Sequence, residues 1–337
     1  MLKLRHQKHI ESTIIRLYSI IALFACLWTL PPHAIAQNFP SHPLRFIVPF
    51  PPGGGTDLMS RIIGKKLSER WEQPVIMDNR AGGDGIIGVE ALSKAAPDGY
   101  SLAVIILTHA VQPSLHSHMP YDLMRDFAPV IYFANSPLVL VTRATLPVTS
   151  VKDLIALAKS RPGQLNFAGG GTGGAAHLGG ELFNYLADVR MTHVPYKGTG
   201  PAITDLVGGH VDLMFSGVAG AMPHIQSGKL RAIAVSGLKR SPTLPDLPSI
   251  AESGVKDYEV VAWYGVVVRA GTPAHVVDKF FKEISNIINT PEVTKLFADL
   301  GAQIVGSGPR EFSAFLGVEI RKWSQVVKRA GIPVDSK

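Results

Sequence analysis

Residues 192–215, THVPYKGTGPAITDLVGGHVDLMF, constrain the fold more than any other part of this sequence. They predict a strand over Thr192–Tyr196, a glycine turn, a helix and a second strand. Pro201 has a fixed φ and no N–H group, which suits the first position of a helix, so Gly200 is the expected N-cap. The first N–H groups of such a helix have no acceptor within it and lie at the positive end of its dipole. This stretch therefore predicts a βαβ unit whose helix begins with a possible carboxylate or phosphate site.

A second glycine-rich turn precedes a helix near the start of the chain. Residues 44–50, apolar except for Arg45, predict a buried strand, and a helix is expected over residues 58–70. Between them, the hydroxyl of Thr56 is the expected helix cap, and the amides of residues 53–55 are expected to stay unpaired. Asp57 falls in the first helical turn, where a capping role is favoured over a contact with a ligand.

A third glycine-rich turn, over residues 169–174, follows a strand predicted for residues 164–168 and precedes a predicted helix. The glycines match the dinucleotide-binding pattern G-x-G-x-x-G, but Asp188 precedes the next strand instead of ending it, which disfavours that interpretation. The turn in residues 192–215 could simply be a well-capped βαβ turn whose amides bind water. Bound anions would give all three turns a common purpose.

The central strand of the sheet is predicted from the continuous apolar run over residues 100–107. It ends at Thr108 and His109, and ligands of open α/β sheets bind at the carboxyl ends of strands. No carboxylate or nucleophile stands beside His109 in the sequence, so a hydrogen-bonding wall residue is favoured over a catalytic histidine. Alternating strands and helices elsewhere predict an α/β fold with a parallel sheet in each half.

The chain begins with basic residues, an apolar run over residues 17–30 and Ala34-Ile35-Ala36, which predicts a secretory signal peptide over residues 1–36. A membrane anchor is the weaker alternative, because a span needs roughly 20 apolar residues. The only cysteine, Cys26, lies in this leader; acylation is the alternative to its removal with the leader. The net charge is +7 for the whole chain and +3 for the leader, which leaves +4 for the rest. Nucleic-acid binding is not indicated.

Sequence motifs of catalysis are missing from the chain. It contains no Walker A sequence, HExxH motif or paired-cysteine motif, and its nearest approach to a nucleophile elbow, over residues 99–103, ends in alanine. We therefore predict a protein that is not an enzyme, with no cofactor and no metal.

A set of short motifs runs through the chain in a fixed order. They are Pro49-Phe50 with Pro52-Gly53-Gly54 and Asp57, Asp98-Gly99-Tyr100, Pro120-Tyr121-Asp122, Asp126-Phe127-Ala128-Pro129-Val130, His177-Leu178 with Gly180-Glu181-Leu182, Val194-Pro195-Tyr196-Lys197-Gly198 with Gly200-Pro201-Ala202, Glu252-Ser253-Gly254, and Trp263 with Gly271-Thr272-Pro273. In these motifs the sequence resembles the Bug, or TctC-like, family of periplasmic solute-binding proteins. These proteins are the receptors of tripartite tricarboxylate transporters.

The resemblance implies a two-domain type II periplasmic-binding-protein fold with two crossing hinge strands. The first domain would comprise residues 37–140 and 263–337, and the second residues 141–262. The ligand would be a small organic anion, a mono- or dicarboxylate, enclosed between the domains and delivered by a monomeric receptor to a tripartite tricarboxylate-type permease. Two alternatives stay open: the closed form could signal to a membrane sensor, or the scaffold could carry a hydrolase.

The resemblance also implies that backbone amides and ordered waters at two loops bind a carboxylate; we name these loops the first bend (residues 50–57) and the second bend (residues 196–202). The predicted ligand-binding residues are Phe50, Pro52, Gly53, Gly54, Gly55, Thr56 and Asp57 at the first bend; Tyr196, Gly198, Thr199, Gly200, Pro201, Ala202 and Asp205 at the second; and Thr108, His109, Gly170, Gly171 and Thr172 around the variable end of the ligand. Lys197 could add charge, although a lysine in a turn is more often solvated.

Overall fold

Strands and helices alternate along most of the chain. The computed structural model describes residues 39–170, 173–196 and 198–334, so the predicted leader lies outside the described residues. The strands are β1 (Leu44–Val48), β2 (Val75–Asn79), β3 (Ser101–Ile106), β4 (Phe127–Arg143), β5 (Asn166–Gly170), β6 (Thr192–Tyr196), β7 (Leu213–Gly217), β8 (Leu230–Val235), β9 (Val261–Arg269) and β10 (Gln303–Ser307). The helices are α1 (Gly55–Trp71), α2 (Ile86–Ser93), α3 (Leu107–Leu115), α4 (Val151–Ser160), α5 (Ala175–Ala187), α6 (Thr199–Gly208), α7 (Val218–Gln226), α8 (Ala274–Ile288), α9 (Pro291–Asp299) and α10 (Pro309–Ala330).

The first part of the sheet, which we call sheet region A, has the strand order β2-β1-β3-β9-β4. β1 is parallel to both β2 and β3, whereas β9 is antiparallel to β3 and β4, and β10 pairs with β4. Helix α1 packs on β1 and β2, while α8 and α10 pack on β4. The four buried residues of β3 are all aliphatic, as expected for a central strand covered on both faces.

Sheet region B contains the βαβ unit predicted from residues 192–215. Its strands β6 and β7 both run parallel to β5, which lies between them. Helices α5 and α6 each pack on β5 and β7. The carboxyl ends of β5, β6 and β7 therefore lie at one edge of the sheet and lead directly to the starts of α5, α6 and α7.

One long strand, β4, joins the two sheet regions. Its residues 127–137 pair with β9, and its residues 138–143 pair with β7 and β8. The buried Ser236 fixes this junction, because its hydroxyl accepts a 2.7 Å hydrogen bond from the Leu138 N–H and donates one of 2.5 Å to the Val260 carbonyl. The two segments in which the chain passes from one sheet region to the other are therefore both hydrogen-bonded to this side chain.

The structure corrects four local predictions. The sequence predicts two shorter strands over residues 130–133 and 138–142, but residues 127–143 form one strand with register shifts. Helix α3 begins immediately after β3, where the sequence analysis places no helix, and α7 is likewise not predicted. At the second bend the helix begins at Thr199 with Gly198 as N-cap, not at Pro201. Gly198 has a φ of 111°, a conformation that glycine adopts without steric cost and that allows the earlier start.

Candidate functional site

Four helices begin at one cavity of about 380 Å³. They are α1 and α5–α7, and each has at least nine residues. The residues that line the cavity are Gly55, Ser136, Leu138, Ala175, Ala176, Thr199, Met214, Phe215, Gly217, Val218, Ala219, Gly220, Ala262, Tyr264 and Leu300. The structure therefore brings the first bend, through Gly55, and the second bend, through Thr199, to the same space. That space also contacts both sheet regions.

A buried carboxylate holds the first bend in place. Asp57 is only 2% exposed and accepts hydrogen bonds from the Gly53 N–H (2.9 Å), from Arg61 Nε (2.8 Å) and from Asn79 Nδ2 (2.9 Å). Asn79 Nδ2 also donates to the Phe50 carbonyl at 3.1 Å. One network thus fixes both ends of the bend to β2 and α1. Asp57 has a structural role here, as the sequence analysis favours.

Burial alone would raise the pKa of Asp57, but hydrogen bonds from Arg61, Gly53 and Asn79 outweigh it and hold the pKa below its ordinary value. The carboxylate therefore stays ionised at neutral pH, and its oxygens continue to accept these hydrogen bonds. Two details of the first bend differ from expectation. The N-cap of α1 is Gly54 with no side-chain capping bond, so Thr56 is not the cap, and the Gly53 amide is paired.

Among the described residues, fewer side-chain hydrogen bonds hold the second bend than the first. The Tyr196 hydroxyl donates a 2.8 Å hydrogen bond to Asp205 Oδ2, which links the end of β6 to the second turn of α6. Burial and this hydrogen bond raise the pKa of Tyr196. Gly198, Thr199, Gly200 and Pro201 are exposed, whereas Ala202 is fully buried. Lys197 lies outside the described residues.

Glycines keep the entrance to these helices free of side chains. A Cβ atom built on Gly54, Gly55, Gly198, Gly200 or Gly217 would have no other atom within 4 Å. Packing within the described protein therefore does not require glycine at these positions. The open space in front of the N–H groups is what a ligand anion needs in order to approach the backbone closely.

The described lining residues include no aspartate, glutamate, lysine, arginine or histidine. The positive potential there comes instead from helix starts, whose first N–H groups have no acceptor inside the helix. Three lining residues carry hydroxyl groups: Ser136, Thr199 and Tyr264. The arrangement can bind an anion through neutral donors, and such hydrogen bonds to a charged acceptor are among the stronger ones.

Thr108 and His109 do not line this cavity, and the structure gives His109 another function. It is fully buried, its Nδ1 accepts a 3.0 Å hydrogen bond from the Ile106 N–H at the start of α3, and its ring packs edge-on against Phe50. Burial lowers the pKa of His109 to about 4, so the ring is neutral at neutral pH. The expected wall residue is thus a helix-capping residue beneath the first bend, and a ligand contact by Thr108 or His109 stays a prediction.

The third turn is described only in part, because Gly171 and Thr172 lie outside the described residues and Gly170 ends β5. After the turn, the Gly173 N–H donates to His177 Nδ1 at 3.0 Å, and Ala175 and Ala176 line the cavity. The turn therefore leads to the same space as the two bends. Asp188 stands at the C-terminal end of α5, away from any strand end where a ribose could be recognised.

Sequence reasoning missed two parts of the site. The start of α7 contributes residues 217–220, in a segment with two glycines and a proline that does not resemble a helix. Tyr264 lines the cavity from within a mostly apolar strand. The signals available in the sequence were the small residues directly after β7 and the tyrosine in a mostly apolar strand.

Among the described residues, no group of three or more histidine, cysteine, aspartate or glutamate side chains is arranged to hold a metal ion. None of the helices in the described part of the chain combines the length and apolarity of a bilayer crossing.

Two α/β sheet regions joined by crossing strands, with a cavity formed by helix starts between them, define the class of the periplasmic binding proteins. The chain belongs to the tripartite tricarboxylate transporter receptor family, TctC, whose model matches residues 59–332. The predicted family and fold are therefore confirmed. This is a family of receptors, not of enzymes.

Several known proteins are similar over nearly their whole length. BugT of Bordetella pertussis is 36% identical over 318 residues, which are 94% of this chain and 98% of BugT. The solved structure of Rpa4515 of R. palustris with adipate is 35% identical with a TM-score of 0.77, covering 88% of this chain and 100% of that one. MatC of Rhodopseudomonas palustris, solved with bound malate, is 31% identical with a TM-score of 0.73 and coverages of 86% and 100%.

Proposed function

We propose that this protein captures a small organic carboxylate in the cavity between its sheet regions, for a tripartite tricarboxylate-type permease. One observation carries the proposal: four helices begin at a cavity whose described lining has no charged side chain. Backbone N–H groups at helix starts stabilise carboxylates without a counter-charge that would have to be desolvated. Adipate and malate, bound by the similar proteins Rpa4515 and MatC, belong to this class of ligand.

Capture would occur by closure of two domains, residues 37–140 with 263–337 and residues 141–262, around the bound ligand. The ligand would first contact the first bend and then bridge to the second, so the closed state would be favoured by the added contacts. The junction at Ser236, where β4 and the segment before β9 pass between the sheet regions, supports a hinge at this place. Closure would bring the predicted ligand-binding residues of both bends together.

The receptor would act in the periplasm as a monomer, after export and removal of residues 1–36. The periplasmic character of the solved relatives supports this location. Delivery to the permease would then depend on recognition of the closed, ligand-bound form.

Thermal unfolding in the presence of a carboxylate panel tests the proposal. A ligand that binds only the folded protein stabilises it by about 2.7 kcal/mol at a concentration 100 times its Kd. For a chain of this length that stabilisation raises the melting temperature by roughly 5 °C. We expect at least one mono- or dicarboxylate to produce such a shift, with sodium chloride at equal ionic strength as control. A panel that leaves the melting temperature at the control value would overturn the proposal.

A further inference from the structure

The start of helix α5 has the same backbone conformation as the start of α1. Both helices have a glycine N-cap without a side-chain capping bond: Gly54 has φ −77° and ψ 163°, and Gly174 has φ −74° and ψ 159°. The residue before each cap is a glycine with a positive φ, which is 89° at Gly53 and 79° at Gly173. The start of α5 therefore repeats the geometry of the first bend, and both helix starts contribute to the lining of the same cavity.

The side chain that holds the turn also stands at the same place in both helices. The third residue of α1, Asp57, accepts a hydrogen bond from the N–H group four residues earlier, and so does the third residue of α5, His177. The bond from the Gly173 N–H to His177 Nδ1 is 3.0 Å long and buried. His177 therefore fixes a glycine turn to the helix that follows it, as Asp57 does at the first bend.

Each of these side chains has a partner one helical turn later, with the acidic and basic roles exchanged. Asp57 pairs with Arg61 at 2.8 Å. His177 Nε2 faces Glu181 Oε1 at 3.7 Å. A neutral imidazole has one donor nitrogen and one acceptor nitrogen. Because Nδ1 accepts from the Gly173 N–H, the ring proton lies on Nε2, where the Glu181 carboxylate stabilises it. Glu181 thus favours the tautomer of His177 that can hold the turn.

Close packing of α5 on the sheet keeps the His177 ring in place. His193, on β6, stacks on His177 with ring centroids 4.0 Å apart. Two glycines allow this close approach. A Cβ atom on Gly169 would lie 2.6 Å from His193 Nε2, and one on Gly180 would collide with the Phe167 ring. Burial and the nearby His177 lower the pKa of His193 to about 4, so the stacked ring is neutral at neutral pH.

We propose that His177 is a positioning residue for anion capture: its Nδ1 holds the Gly173 amide and so keeps the start of α5 in the conformation of the first bend. The free N–H groups of this helix start can then serve the cavity, which Ala175 and Ala176 line. This inference rests on the proposed function and goes beyond it, because it adds a third ligand-binding helix start and the residue that fixes it. It also accounts for the spacing of His177 and Glu181 in the sequence motif.

Two amide side chains of different length test which ring nitrogen matters. The side-chain oxygen of asparagine is as many bonds from the backbone as Nδ1 of histidine, and that of glutamine is as many as Nε2. We expect His177→Asn to keep the Kd for the best carboxylate of the panel within about twofold, and His177→Gln to weaken binding about 3- to 10-fold, the effect of one hydrogen bond. Calorimetry measures both. A role in packing alone predicts the opposite order, because glutamine is closer to histidine in volume.

Nitrogen-15 NMR gives a signature that depends on no ligand. In protein labelled on its histidines, the His177 ring should have an unprotonated Nδ1 and a protonated Nε2 at about pH 8. His210→Asn changes an exposed histidine outside the cavity lining. It is the matched control and should alter neither the Kd nor the His177 signals.

Two results would overturn the inference and leave the proposed function intact. One is a Kd of His177→Gln equal to that of His177→Asn; the other is a proton on Nδ1 of His177. If the unaltered protein bound no carboxylate of the panel, the proposed function would be refuted together with the inference.

Discussion

The first and second bends present the same backbone chemistry to the cavity, but the protein holds them with very different networks. At the first bend, one buried carboxylate, Asp57, accepts hydrogen bonds from the backbone, from α1 and from β2. At the second bend, a single tyrosine–carboxylate hydrogen bond among the described residues links the strand to the helix; residues 51–55 and 198–201 are equally exposed, so the bends differ in their hydrogen bonds and not in their exposure. The first bend is therefore fixed before any ligand arrives.

This difference indicates a division of labour in capture. A fixed bend loses little conformational entropy when an anion docks on it, so it suits the first contact. A loosely held bend gains most from the hydrogen bonds of a bridging ligand, so it suits the step that closes the cleft. The two bends are thus both rich in glycine but differ in how firmly the rest of the chain holds them.

The largest expected effect comes from placing a negative charge in either bend. Gly54→Asp and Gly200→Asp should each weaken carboxylate binding by at least about 100-fold, because the new carboxylate takes the N–H donors and repels the ligand. Both positions accept a Cβ without contact, and the N-cap residue Gly54 has a φ of −77°, which any residue adopts. Calorimetry with the best carboxylate of the panel measures the effect.

Asparagine at the same two positions provides the matched controls. Gly54→Asn and Gly200→Asn add nearly the same volume without the charge, so they should weaken binding less than the aspartates do. If the aspartate variant of one bend bound normally, that bend would not contact the ligand, and the comparison of the two bends would lose its functional meaning.

The next effect concerns the network of the first bend. Asp57→Asn should destabilise the protein by about 2 kcal/mol, because Arg61 and the Gly53 N–H lose a charged acceptor. Urea unfolding followed by far-UV circular dichroism gives the free energy of unfolding. An unchanged midpoint and slope would show that the first bend is not held by this carboxylate.

The pH dependence sharpens the same comparison. The folded-state pKa of Asp57 is lowered, so its contribution to stability is complete above its ordinary unfolded value near 4 and is lost as pH falls through the folded pKa. The free-energy difference between the unaltered protein and Asp57→Asn should therefore shrink below about pH 4. Burial lowers the pKa values of His109 and His193 to about 4, so these two residues change the free energy of unfolding between roughly pH 6.5 and 4. The change is the same in the unaltered protein and in Asp57→Asn, so it cancels in the difference. A constant difference down to pH 3 would contradict the assignment.

Local patterns predicted the strands and the two bends because those patterns depend on near neighbours in sequence. The strand-glycine-helix order over residues 192–215 requires only chain stiffness and apolar periodicity. Helix α3 escaped prediction because it follows β3 without a turn residue and contains Pro113. Helix α7 escaped it for a similar reason, since Gly220 and Pro223 suggest a loop. Packing on sheet strands overrides these weak local preferences.

Side-chain roles that depend on distant residues could not be predicted. The salt bridge from Arg61 to Asp57 follows helical spacing, but the bonds from Asn79 to Phe50 and Asp57 require β1 and β2 to be neighbours. His109 likewise has a role that depends on the tertiary structure. The end of a central strand suggests a ligand contact, yet the helix that follows at once uses the imidazole as its cap. Only the tertiary structure distinguishes these two uses of a polar residue at a strand end.

The smallest expected effect tests whether the second bend is held loosely. Tyr196→Phe removes the hydroxyl that donates to Asp205 and should lower the free energy of unfolding by no more than about 1 kcal/mol, since this single hydrogen bond is partly exposed. Asp205→Asn, which keeps an acceptor for the tyrosine, is the matched control and should cost less. Urea unfolding of the unliganded variants measures both, and carboxylate affinity is measured beside it. If the ligand orders the second bend, affinity should fall by at most about fivefold, because the hydrogen bonds to the ligand replace the lost restraint. A stability loss as large as that of Asp57→Asn would show that both bends are fixed in advance and that the division of labour between them is wrong.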